Sequence, residues 1–146
     1  MLIDFASRPP HPDFAPSAPH LQNYRRVYQA SESRSAASDA AQGLDSWLAT
    51  YERLGARHVV LKARDLTTTF GFKIPNEVVA DFIHAHGPRY IGFAGADPWQ
   101  ADAVAQFDHA VRNLGLRGLN LQCFELKLRP DDERLFPLYE KAIELN

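Results

Sequence analysis

From Ser38 onward the chain alternates between two hydrophobic rhythms. Leu44, Trp47, Leu48, Tyr51 and Leu54 keep the spacing of one buried helix face, with Ser38 or Asp39 as the expected N-cap and Gly55 as the stop. His58-Val59-Val60-Leu61-Lys62-Ala63 follows as a nearly continuous apolar, β-branched run. That pattern predicts a strand covered on both faces and hence a parallel sheet. The segment from Arg64 to Ile74 reads as a loop. Pro75 and Asn76 then start a second helix carrying Val78, Val79, Phe82 and Ile83, closed by Gly87-Pro88. Arg89-Tyr90-Ile91-Gly92-Phe93-Ala94 is the next strand. Trp99, Val104, Phe107, Val111 and Leu114 mark a third helix ended by Gly115, and Gly118-Leu119-Asn120-Leu121-Gln122 is a further strand. Asp131 and Asp132 precede a last helix whose buried face is read as Leu138, Tyr139, Ala142 and Ile143.

An opening strand at Met1-Leu2-Ile3-Asp4-Phe5 completes four β/α units, for which right-handed crossovers are the default. Two architectures are built from such units. An open doubly wound sheet that binds nucleotides needs a glycine-rich first turn, and Ala6-Ser7-Arg8-Pro9-Pro10 has no glycine. A (β/α)₈ barrel typically takes about 250 residues. The 146 residues here therefore predict an α/β fold amounting to about half of a TIM barrel, with four parallel β/α units. Residues 9–40, rich in Pro, Ser and Ala, form a long loop after the first strand, with a helical turn expected near Leu21 to Tyr28. Loops of this length are uncommon in compact domains, so a lid or an interface segment stands beside plain disorder as its reading.

Composition narrows the partners. With 45% hydrophobic and 23% charged residues, the chain is expected to be a globular domain with one modest core. A net charge of -2 gives no footprint for nucleic acid, and no basic block suits an anionic membrane surface. No run reaches the roughly 18 apolar residues of a membrane span, and the opening lacks a cationic secretory region. The single Cys123 excludes an internal disulfide and fits a reducing compartment, so the cytoplasm is expected.

Barrel sites gather at the carboxyl ends of the strands. Arg64 and Asp65 after the second strand, Asp97 after the third and Gln122 on the fourth are the candidates for such a mouth. Each has a structural alternative: Arg64 and Asp65 pairing with each other, Asp97 capping a helix before Pro98, Gln122 satisfying buried backbone. His84 and His86 are two apart on a helix and so lie on different faces, which makes them surface residues rather than ligands. His11, His20, His58, His109 and Cys123 lack the spacing of a metal or nucleophile site. Trp47, Tyr51, Phe82, Phe107 and Tyr139 are read as core.

Several segments carry a family likeness. They are Ile3-Asp4-Phe5-x-x-Arg8-Pro9-Pro10, Gly95-x-Asp97-Pro98, Gly115-Leu116-Arg117-Gly118-Leu119-Asn120-Leu121-Gln122, and Pro130-Asp131-Asp132-x-Arg134-x-Phe136-Pro137-Leu138-Tyr139-Glu140-Lys141-Ala142. Together they resemble the amidohydrolase-related family over most of the chain outside residues 11–57, as its N-terminal half. That family includes metal-dependent decarboxylases of the aminocarboxymuconate-semialdehyde type and lactone hydrolases acting on pyrone dicarboxylates. The resemblance implies a hydrolase or carboxy-lyase for a small carboxylated substrate, with zinc or manganese in complete members. It fails at the first strand, where the expected Asp-x-His-x-His has Ala6 and Arg8 at the histidine positions. A methyl group has no lone pair and a guanidinium repels a cation, so no metal ligand is assigned to this chain. Arg8 could instead fork onto a substrate carboxylate, or pair with Asp4 or another barrel acid as structural support. A non-catalytic binding module, and a half barrel that pairs with a copy of itself to close the sheet edges, are the other readings.

Overall fold

The computed structural model describes residues 1–14 and 43–145. Its main sheet is four-stranded and parallel throughout, in the order β1 (Leu2–Ser7), β2 (Ala56–Lys62), β5 (Tyr90–Gly95) and β6 (Leu119–Asn120). Helices α1 (Leu44–Arg53), α3 (Asn76–His86), α4 (Ala103–Arg112) and α6 (Phe136–Glu144) complete the four β/α units. The sheet curls as half of a (β/α)₈ barrel. The fold class expected from the two hydrophobic rhythms is the one found.

The alternation along each strand separates two faces. Val59, Leu61, Tyr90 and Ala94 belong to the buried core, and a Cβ on Gly92 would run into Leu116 and Val79, so this face lies against the helices. Trp47 of α1 stacks on Tyr90 with centroids 5.7 Å apart, and Phe82 of α3 meets both rings. The opposite face is the inside of the curl. There Lys62 lies over the Phe5 ring, and Phe5 meets Phe93 edge-on. Ile3 and Phe5 stay 46% and 57% exposed, an unusual state for residues on the inner face of a parallel sheet, which is normally covered on both sides.

Strand β1 carries a bulge. Asp4 sits opposite Val59 and Ser7 opposite Leu61, so β1 has one residue more than β2 over the same stretch. The extra residue turns both Asp4 and Ser7 toward the helix side, where the Tyr51 hydroxyl meets them.

Several local expectations change. The segment from Arg64 to Ile74 is ordered rather than a loop: β3 (Arg64–Leu66) pairs antiparallel with β4 (Phe72–Ile74) around the one-turn helix α2 (Thr67–Phe70), and Phe72 and Ile74 are buried. The alternation of polar Asp65 and Lys73 with buried Leu66, Phe72 and Ile74 is a hairpin pattern. Helix α1 has Gly43 at its N-cap, whereas Ser38 and Asp39 lie outside the described residues. Leu54 is the C-cap and is exposed, because the chain turns there into Gly55 at φ 61°. Trp99 precedes α4 instead of belonging to it, and Ile143 is 77% exposed, leaving Leu138 as the buried residue of α6. The fourth strand is shorter than the apolar run suggested, since Leu121 and Gln122 lead directly into α5 (Cys123–Leu126).

Of residues 9–40, only the start falls within the described residues. A 3₁₀ turn at Pro12–Phe14 buries Phe14 edge-on against Phe82, with centroids 5.5 Å apart. The lid or interface reading, the helical turn at residues 21–28 and His20 all lie outside the described residues.

Candidate functional site at the carboxyl end of the strands

The inner face continues upward from Val60 and Lys62 to Arg64, the first residue of β3. Gly95 permits this approach: a Cβ there would stand 2.6 Å from the Arg64 nitrogen. Asn76 holds the same point, donating to the Gly95 carbonyl at 3.2 Å and accepting from its N–H at 2.9 Å. Asn120 donates to the Ala63 carbonyl at 2.8 Å and so joins β6 to the end of β2. The mouth therefore rests on backbone positions fixed from three strands.

Arg64 does not pair with Asp65, since neighbours along a strand face opposite ways. Its Nη1 lies 3.4 Å from each carboxylate oxygen of Glu125, whose side chain is 4% exposed on α5. Asp65 turns the other way and accepts from the Thr67 N–H at 3.1 Å and the Thr67 hydroxyl at 2.6 Å, with Lys73 Nζ at 3.4 Å. It is a hairpin residue.

Arg8 follows β1 and has its outer surface exposed. Crowding by protein atoms, and then the like charge of Arg64, hold its guanidinium below the ordinary arginine value, against the opposing pull of Glu125. The group remains a cation, because arginine is not deprotonated in proteins. Asp4 is not its partner: the Asp4 carboxylate accepts from the Tyr51 hydroxyl and from the Ala6 N–H at 3.0 Å.

Asp97 is 2% exposed and fully engaged, which removes it from the open part of the mouth. It accepts from the Thr68 N–H at 2.8 Å, the Trp99 N–H at 3.1 Å and the Gln100 amide at 3.2 Å. These bonds outweigh burial and hold its carboxyl below the usual value, even though burial alone would raise it. Its expected role as a helix cap is corrected: Asp102 occupies the N-cap of α4, and Asp97 instead binds the 97–100 turn to α2. Gln122 is the N-cap residue of α5, without a side-chain capping bond, and is half-buried at the mouth.

Aromatic and cationic side chains surround this rim. Trp99 donates from Nε1 to the Leu126 carbonyl at 3.0 Å, and the Arg134 guanidinium lies 4.5 Å from its ring centroid. Glu125, Asn76, Asn120 and this Trp99–Arg134 pair are parts of the mouth that sequence reasoning missed. A single acid in the first turn of a short helix, an asparagine at a helix start and another at a strand end give no distinguishing pattern before the fold brings them together.

A metal at the end of β1 does not fit the donors present. Ala6 and Arg8 offer none, and Asp4 is spent on Tyr51 and Ala6. No group of three or more His, Cys, Asp or Glu among the described residues is arranged to hold a metal ion. No helix among them is long and apolar enough to cross a membrane.

A family model described as Amidohydrolase matches residues 29–146. That span contains the Gly115 to Ala142 block and three of the four strands, but β1 and its Asp4-Phe5-Ala6-Ser7-Arg8 segment precede it. No curated protein and no solved structure matches the chain.

Proposed function

Because this chain belongs to the amidohydrolase family, we propose that its mouth binds a small carboxylated molecule through Arg8, as part of a hydrolase or carboxy-lyase site. The observation that carries this reading is the strand register, in which Ser7 of β1 lies opposite Leu61 of β2, so that Arg8 leaves β1 beside the end of β2, just before Arg64 and its partner Glu125. A guanidinium presents paired N–H donors that match a carboxylate, and a partly desolvated setting strengthens such a bond. Substrates of the decarboxylases and dicarboxylate lactonases that the sequence resembles carry such groups. The residues of this chain would bind and orient, and no step is assigned to a metal, since the donors at β1 do not fit one. Titration calorimetry with benzoate tests the reading. Arg8→Met should weaken benzoate about tenfold or more, with Arg8→Lys intermediate. Unchanged affinity in Arg8→Met would give Arg8 a structural role and sink the proposal.

A second reading is favoured by the open sheet. Among the described residues β1 and β6 each have one neighbouring strand, and Ile3 and Phe5 are exposed on the inner face. A second copy related by a twofold axis would set each β1 beside the other's β6 and close eight parallel strands. In that form the chain is a self-assembling module, with or without catalysis. The lone Cys123 fits a cytoplasmic setting for either reading.

A further inference from the structure

Arg8, which follows Ser7 opposite Leu61, and the Arg64–Glu125 pair lie at the neighbouring ends of β1 and β2, and the two guanidiniums are placed unequally. Arg64 is 14% exposed and directs one nitrogen at both oxygens of Glu125, whereas no ion pair links Arg8 to an acid among the described residues. A carboxylate as buried as Glu125 needs a cation beside it, and Arg64 is one such partner. Arg8 remains the cation that faces outward.

We propose that Glu125 is a specificity-determining residue: by occupying Arg64 it limits the mouth to ligands presenting a single carboxylate, which Arg8 receives. This inference rests on the carboxylate-binding reading above and adds the charge rule that selects among carboxylates. A ligand with a second carboxylate directed at Arg64 meets the Glu125 charge instead, and like charges at such short range oppose binding. Neutralising Glu125 while keeping its shape should therefore free Arg64 as a second anchor.

The test compares benzoate with isophthalate, its homologue with one more carboxylate, by titration calorimetry at fixed ionic strength. The wild-type chain should bind isophthalate no better than benzoate. Glu125→Gln should improve isophthalate about tenfold while benzoate changes by less than about threefold, and Glu125→Asp should keep the wild-type ratio. The double variant Arg64→Met/Glu125→Met removes the pair together, a change that buried ion pairs often tolerate, so it covers the case in which Glu125→Gln fails to fold. It should gain nothing for isophthalate over benzoate. An unaltered ratio in folded Glu125→Gln, or a preference for isophthalate in the double variant, would overturn the inference while leaving the Arg8 reading intact. Wild-type chain that binds neither acid would overturn both.

Discussion

The Tyr51 hydroxyl donates to the Asp4 carboxylate at 2.5 Å and lies 2.5 Å from the Ser7 hydroxyl, so one phenol on α1 holds both ends of the bulge in β1. An edge strand has only one neighbour to hydrogen-bond, and here a side chain supplies the second attachment.

Tyr51→Phe should lower stability by about 1–2 kcal/mol near neutral pH, because it leaves Asp4 Oδ2 without its donor. The pH dependence follows from the tyrosine, whose burial and bond to Asp4 push its pKa up to about 12. A raised value means that the folded state favours the protonated phenol. The contribution is complete below the ordinary tyrosine value of about 10 and is lost as pH rises through the folded-state value. Urea unfolding of both proteins from neutral to strongly alkaline pH should show their difference constant and then closing. A difference that persists at the highest pH would contradict the assignment.

Asp97→Asn should destabilise by about 1–3 kcal/mol at pH 7, since an amide nitrogen would face donors from Thr68 or Trp99. The Asp97 carboxyl is held below its usual value, so its contribution is present above the ordinary aspartate range and is lost as pH falls through the folded-state value. The gap between the two proteins should narrow only below about pH 4 in acid unfolding curves. Narrowing at pH 6 would point to a different group.

Gly95→Ala and Gly55→Ala separate two reasons for glycine. At Gly55 nothing lies within 4 Å of an added Cβ, and only the φ of 61° opposes it, a strain of about 1–2 kcal/mol. At Gly95 the backbone of Arg64 and Ala63 stands within 2.9 Å, so the strands must part, at about 1–3 kcal/mol or more. Gly95→Ala should also weaken benzoate, because parting β5 from the end of β2 shifts the neighbouring end of β1 that leads to Arg8, whereas Gly55→Ala should leave benzoate unchanged. Equal effects of the two on binding would refute the close approach as a determinant of the mouth.

Light scattering addresses barrel closure. At micromolar concentration the chain should run as a dimer, and Phe5→Glu, which places a charge on the inner face, should give the monomer with helical circular dichroism retained. A wild-type monomer would remove the self-assembling reading.

Most of the architecture was legible in the sequence because it rests on periodicity. Val59, Leu61, Val79, Phe82 and Phe107 are buried where the two rhythms put them. The β3–β4 hairpin was missed because three-residue strands around Thr67-Thr68-Thr69-Phe70-Gly71 are too short to show a period. Ile143 failed for a different reason: five residues after Leu138 it stands well round the helix from the buried side, and it is exposed there. At the mouth, proximity to strand ends singled out Arg64, Asp65, Asp97 and Gln122, and the departure from the resembled motif singled out Arg8, but their partners could not be read in advance. Arg64 finds Glu125 across a sequence separation of 61, and Asp97 finds Thr68 across 29. Such pairings depend on which strand ends become neighbours, which no local pattern records.

The chain's two tryptophans occupy different worlds. Trp47 is sandwiched among Tyr51, Phe82 and Tyr90, while Trp99 lies at the rim, 41% exposed and under the Arg134 guanidinium. An indole beside a cation and partly in water emits differently from one enclosed by aromatic rings. The molecule thus carries its own two-channel optical probe, one channel reading the interior and the other the entrance, and Trp47→Phe would isolate the entrance signal without any added label.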